Sequence, residues 1–231
     1  MIEIYPHATA ALRRKLSEMQ FVAFDVETTG LDQQLDEIIE VGLVRFRAGE
    51  ILDTYDRLIH PGCPIPRQTT TVHGISDLMV EHCPSLEEVL FEIVRFFGDS
   101  ILIAHNAKFD LSFFNRAFAE SGVPPPGNAI LCTRRLSRSL VIGLRSYGLM
   151  AVARRLQIEI DRSHRALPDA LVSAKIFMRL IRHLDPHWDI TLEELLQYHG
   201  RPYAFLAAAT PSLWEGQREA LKAFRALRLA L

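Results

Sequence analysis

The sequence is short of several things, and each shortage excludes something. It has only three cysteines, Cys63, Cys83 and Cys132, an odd number with no CxxC spacing. Neither a disulfide framework nor a thiolate zinc site is indicated, and the three read as reduced, structural thiols. Nowhere do about 18 apolar residues run together, so no membrane-spanning helix and no membrane partner are expected. The first stretch, MIEIYPHATAALRRKLSEM, has no continuous apolar core of signal-peptide type, and a cytoplasmic location is the expectation. An excess of either charge is missing as well: with 26 basic and 28 acidic residues, the net charge of −2 argues against coating nucleic acid by charge alone, while leaving room for phosphate contacts through local arginines and bound metal. Repeats and low-complexity segments are absent.

What is present is a chain of 231 residues, 48% of them apolar and 23% charged, which suits one main globular α/β domain with appendages. Residues 8–19 read as an amphipathic helix and QFVAFDVET as a first strand. Two alternating strands follow around a turn at Ala48 to Glu50, a β-meander. PSLEEVLFEIVRFFGD reads as a helix with Ser85 as N-cap, Glu88 three residues on and Gly98 at its end. SILIAHN is then a buried strand, FDLSFFNRAFAESG a helix stopped by Gly122, and NAILCT a short strand. Helices are expected around SYGLMAVARRLQ and PDALVSAKIFMRLIRHL. After Asp185 the texture changes: TLEELLQYHG reads as a capped short helix and TPSLWEGQREALKAFRALRLAL as a longer one. The expected division is an N-terminal helical extension over 1–18, a main domain over 19–185 and a helical C-terminal extension over 186–231. A mixed sheet with helices on its faces follows from this order.

The first strand poses a chemical problem. Asp25 and Glu27 stand two positions apart, so they project from one face while Val22, Phe24 and Val26 line the other. Neither carboxylate can be buried unpartnered, and the strand carries no cation of its own. The partner is either a cation from elsewhere in the fold or a metal. Further on, Asp110 begins a helix in AHNAKFD and Asp169 follows Pro168 in the first turn of another in HRALPDA; each alone reads as a helix-start acid. His164, five residues before Asp169, alone reads as a solvated loop histidine.

Together, FDVETTG, AHNAKFD and HRALPDA resemble the three motifs of the DnaQ-like family of 3′-to-5′ exonucleases, in order and spacing, over about residues 19 to 184. The His-x4-Asp spacing is that of the histidine branch. The resemblance implies a ribonuclease H-like mixed five-stranded sheet and hydrolysis of phosphodiester bonds at 3′ ends to nucleoside 5′-monophosphates. It also implies two Mg2+ or Mn2+ ions held by Asp25, Glu27, Asp110 and Asp169. Hard divalent cations do choose carboxylate oxygens, and a metal pair can clamp both oxygens of an in-line displacement. By this analogy Asp25 bridges the ions, Glu27 holds the one that activates water, and His164 takes that water's proton. A histidine, with a reference pKa of about 6.5, suits a base working near neutral pH.

The same resemblance marks a nucleotide pocket. The backbone at Thr28 and Thr29 corresponds to the segment meeting the terminal 3′-hydroxyl, and Val72 and His73 in TVHGISD to the pair beside the terminal nucleotide. His73 alone could equally be a packing histidine. His105 and Asn106 are either substrate-side groups or groups that orient their loop. Between Arg134 and Arg165 lie eight arginines against two acids, Glu159 and Asp161. They read as solvated helix faces or, near the third motif, as phosphate contacts, with Arg165 the foremost candidate.

Pro168 and Cys132 depart from residues common in the family. The glutamine- and glycine-rich linker of the family's replicative members is also missing after Pro186, which favours a stand-alone relative. A polymerase or repair partner could still dock on the C-terminal helices. The substrate expected is DNA rather than RNA, because Thr28 stands where an oligoribonuclease pattern has methionine. The alternatives are an RNA-trimming exoribonuclease and a binding module that has lost its chemistry.

Overall fold

In the computed structural model, which describes residues 12–160, 164–200 and 202–205, strand β1 (Phe21–Thr28) lies in the middle of a five-stranded sheet. Strand β2 (Ile38–Arg47) runs antiparallel along one side of it and β4 (Ile101–Ala104) parallel along the other. With β3 (Glu50–Leu58) and β5 (Ile130–Cys132) the order is β3-β2-β1-β4-β5. Strands β2 and β3 are joined by Ala48 and Gly49, whose φ values of 48° and 86° give a two-residue turn matched to the strand twist.

Helices cover both faces. They are α1 (Arg67–His73), α2 (Asp77–Val80), α3 (Leu86–Phe97), α4 (Lys108–Ser121), α5 (Thr133–Leu140), α6 (Leu149–Arg155), α7 (Ala166–Leu184) and α8 (Leu192–His199). On one face Val22, Phe24 and Val26 pack against α3 and α4, with the Phe24 ring 5.9 Å from those of Phe97 and Phe114. On the other, Phe21 and Ala23 meet α7, and the Phe21 and Phe177 rings lie 5.0 Å apart. Period-two alternation therefore sends Asp25 and Glu27 to the α7 face. The expected capping box opens α3, Ser85 and Glu88 each bonding the other's backbone N–H, and Gly122 ends α4 in the left-handed conformation.

Two readings of local structure need correction. The helix over 8–19 lies partly outside the described residues, and its described part is not a continuous helix. Lys15 bridges Thr191, the Leu16 N–H donates to the Ile190 carbonyl, and only Leu16–Glu18 form a 3₁₀ turn. Burial of Leu16 and this backbone pairing override local propensity. Helices α1, α2 and α5 were not anticipated; they are short, at 7, 4 and 8 residues, and give a pattern little room to repeat.

The segment after 186 packs onto the cores already described. Leu192 and Leu195 of α8 join the α7-side core, and Phe205 joins Phe97, Phe114 and Phe118 on the opposite side. Between them the tail closes the outer edge of β5: Ile130 and Tyr203 exchange two backbone hydrogen bonds, and the Cys132 N–H donates to His199 Nε2 at 2.7 Å. A row of free edge donors is thereby capped. The helix expected over 210–231 lies outside the described residues. Among the described residues no helix is long and apolar enough to cross a membrane.

Candidate active site

The site forms where β4 leaves β1. Their ladder covers only Phe21 to Ala23, so beyond Ala23 the backbone on that side of β1 needs another partner. Asp110, in the first turn of α4, supplies it: its carboxylate accepts from the Val26 N–H as well as from its own. On the other side β2 continues, placing Gly42 opposite Asp25 and Glu40 opposite Glu27. A Cβ at Gly42 would lie 2.2 Å from the Ala166 carbonyl carbon and the Leu167 nitrogen, so only glycine lets the first turn of α7 rest on the sheet there. That contact brings Asp169 down onto β1. Carboxylate oxygens of Asp25, Glu27 and Asp169 all lie within 4.8 Å of one another.

Burial and mutual repulsion set the protonation of this group. Asp25 is held well above the usual carboxylate range, first by burial and then by the charges of Asp110, Asp169 and Glu27. Glu27 is pushed up to about 8 by burial and then by Asp169 and Glu40. Burial raises Asp110 to about 7, against the lowering effect of its two backbone donors. Such a set is costly as bare anions. The oxygens of Asp25, Glu27 and Asp169, crowded within 4.8 Å, are the donors that hold a hard divalent cation, while Asp110 stands outside that group. The residues present therefore fit a metal site of the kind the resemblance implies.

Arg165 departs from its expected place. Instead of reaching toward phosphate, it is the N-cap residue of α7 and forks onto Glu40: Nε lies 2.9 and 3.0 Å from the two oxygens, and Nη2 bonds Oε1 as well. Glu40 Oε2 also accepts the Ala166 N–H at 2.8 Å. A fully buried glutamate demands such a partner. His164, immediately before, is exposed and has a left-handed φ of 40°.

The substrate-side candidates divide. Val72 is 58% exposed, whereas His73 is buried at the end of α1, where Nδ1 accepts the Ile75 N–H at 3.0 Å. Both threonines are buried and self-engaged. Thr28 Oγ1 donates to the Gly30 carbonyl, Thr29 Oγ1 bonds Asp36, and the Thr29 N–H donates to the Glu37 carbonyl. The Thr29 backbone donor is thus committed to the loop. His105 orients structure: Nε2 donates to the Tyr147 carbonyl, so Nδ1 accepts from the Thr133 hydroxyl, and burial lowers the imidazole to about 4. Asn106 is exposed with φ 68°, its Oδ1 accepting from Arg134.

Sequence reasoning missed Glu40, Gly42 and Arg116. Arg116 on α4 donates to the Asp36 carbonyl and to Glu37 Oε2 at 2.8 Å, pinning the loop after β1. An acid inside the apolar run IIEVGLV was the available signal for Glu40; nothing local marked the other two.

Comparison with known proteins agrees with this architecture. The exonuclease family of the RNase_T type matches residues 22–177. DNA polymerase III PolC-type of Thermotoga maritima is 43% identical over 161 residues, 70% of this chain, and that of Staphylococcus haemolyticus 35% identical over 179 residues, 78% of it. The chain spans only 12% of the length of these relatives. Among solved structures, Exonuclease X in complex with 5′-overhanging duplex DNA superposes with a TM-score of 0.60 at 25% identity, covering 77% of this chain and 98% of that one. Exonuclease I gives 0.63 at 16% identity, over 74% of this chain and 42% of that one, a likeness of fold. The sheet flanked by helices is the ribonuclease H-like arrangement, and with its carboxylates gathered at the end of β1 the chain belongs to the DnaQ-like exonuclease family.

Proposed function

We propose that this chain is a metal-dependent exonuclease that removes nucleoside 5′-monophosphates from 3′ ends of DNA. The observation that carries the proposal is the convergence of Asp25, Glu27 and Asp169 within 4.8 Å, with Asp110 raising Asp25 from the α4 side. These four residues would hold two Mg2+ or Mn2+ ions, whose contribution is to neutralise charge on the phosphate undergoing displacement. His164 then serves as the base that takes the proton of the attacking water; its exposure keeps it accessible to that water. Val72 and His73 border the terminal nucleotide. DNA is favoured over RNA because the relatives at 35–43% identity are DNA polymerases and Exonuclease X was solved on duplex DNA. Association with a polymerase or repair partner through the C-terminal helices is the partner reading that goes with them.

The test uses one DNA oligonucleotide labelled at either end, with an RNA of the same sequence beside it. With Mg2+ the 5′-labelled DNA should shorten in single-nucleotide steps while the 3′ label appears at once as mononucleotide, and excess chelator should stop both. RNA should be digested more slowly. His164→Ala should lower turnover by roughly 10² to 10⁴-fold and leave the stabilisation by metal unchanged. Digestion undiminished by chelator, or mononucleotide released first from the 5′ end, would overturn the reading.

A further inference from the structure

The Glu40–Arg165 pair is expensive for what it does to stability. Glu40 is fully buried and stands opposite Glu27 in the ladder, beside carboxylates that already repel. Removing such a charge from water costs several kcal/mol, and an apolar pair of the same volume is commonly as stable or more so. What an apolar pair cannot do is fix direction. The guanidinium is a planar fork that meets a carboxylate in one orientation, and Glu40 meets it with both oxygens while also accepting the Ala166 N–H. The side chain of Arg165 and the backbone that follows are thus tied to β2 by one anion.

This anchor sits next to a residue that needs one. His164 directly precedes Arg165 and has a φ of 40°, a left-handed conformation that side-chain-bearing residues seldom adopt unless their surroundings impose it. No side-chain cap is supplied at Arg165 itself, so the first turn of α7 depends on Glu40 for the Ala166 donor. Gly42, two residues along the same strand, provides the clearance that lets this turn approach.

We infer that Glu40 and Arg165 are the positioning pair for His164, setting where its imidazole is presented, and that Arg165 does not bind substrate phosphate. The inference rests on His164 acting as the base. Arg165→Lys is the informative change, because it keeps the positive charge beside Glu40 and Glu27 and removes only the fork.

The experiment is a double-mutant cycle in the full chain at saturating Mg2+. Turnover and KM are measured on single-stranded DNA for wild type, Arg165→Lys, His164→Ala and both together. If Arg165 acts through His164, Arg165→Lys should lower kcat by roughly tenfold or more with KM within about twofold, and in the His164→Ala background the same change should alter kcat by less than about twofold. The rise in Tm on adding Mg2+ should be the same in Arg165→Lys as in wild type, and exchange of the Ala166 amide should be faster in the metal-free variant. Equal fold losses in the two backgrounds, an unchanged kcat, or a raised KM at wild-type kcat would each overturn the inference. Should Arg165→Lys not fold, Glu40→Gln combined with Arg165→Gln leaves no lone buried charge, and the same cycle is read with the same criteria. A His164→Ala enzyme at wild-type turnover refutes the base assignment separately, and the losses in the two backgrounds then become equal, which overturns the pairing as well.

Discussion

Asp25 faces Gly42 across the β1–β2 ladder, and the space that glycine leaves is filled by the backbone of Ala166 and Leu167. The distance between the first strand and the third motif is therefore set by an absent side chain. Gly42→Ala should force the first turn of α7 outward, lowering stability by about 1–3 kcal/mol. Turnover should fall further than stability explains, because Asp169 moves with the turn. Urea denaturation and exonuclease rates on the same preparation check this; a variant with native stability and rate would mean the helix yields without moving the carboxylate.

Asp25→Asn should abolish turnover while raising the Tm of the metal-free protein, since it removes an acid whose ionisation is opposed first by burial and then by Asp110, Asp169 and Glu27. The increase in Tm on adding Mg2+ should shrink in parallel. Thermal melts with and without metal measure both, and a lowered metal-free Tm would contradict the repulsion.

The metal-free protein should lose stability as pH rises from about 6.5 to 8. Glu27, near 4.5 when unfolded and about 8 when folded, and Asp110, near 3.8 and about 7, each contribute stability that is complete below the unfolded value and lost as pH climbs through the folded one. His105 and His199, lowered from 6.5 to about 4 by burial, contribute in the opposite sense: their stability is present above 6.5 and lost as pH falls toward 4. The carboxylates alone act in the upper window. Urea midpoints in chelator at pH 6.5 and 8 should therefore decline, Glu27→Gln should flatten the decline, and saturating Mg2+ should remove it.

His199→Ala should cost about 1–3 kcal/mol, because it leaves the buried Cys132 N–H without its acceptor. Its acid-side loss of stability should be shallower than wild type, one buried neutral imidazole having been removed. Hydrogen exchange at Cys132 reads the first effect and the pH dependence of the urea midpoint the second.

What could be read from the sequence was local. Ser85 and Glu88 are three residues apart and lie in one turn, and the alternation around Asp25 and Glu27 needs only the strand's own period. The acids Asp110 and Asp169 each carry a helix-start signature within a few residues. The partner of Arg165 could not be read this way, since it stands 125 positions away and is reached only through strand register and helix approach. The same distance hid the pinning of the loop after β1 by Arg116, 79 positions from Glu37. The described part of the stripe over 8–19 misled for the opposite reason: a helical pattern yields, from Arg14 to Ser17, to pairing with residues 188–192, far away in sequence.

The closing of β5 by Tyr203 and His199 bears on how the molecule can be cut and how it emerges during synthesis. A fragment ending at 185 would contain every carboxylate of the site yet expose a naked strand margin, open to templated joining with other copies. During synthesis the same margin stays open until the segment from His199 to Tyr203 has emerged, so that segment acts as a latch that arrives after every carboxylate of the site has already been made. Fragments for study should therefore run past Phe205.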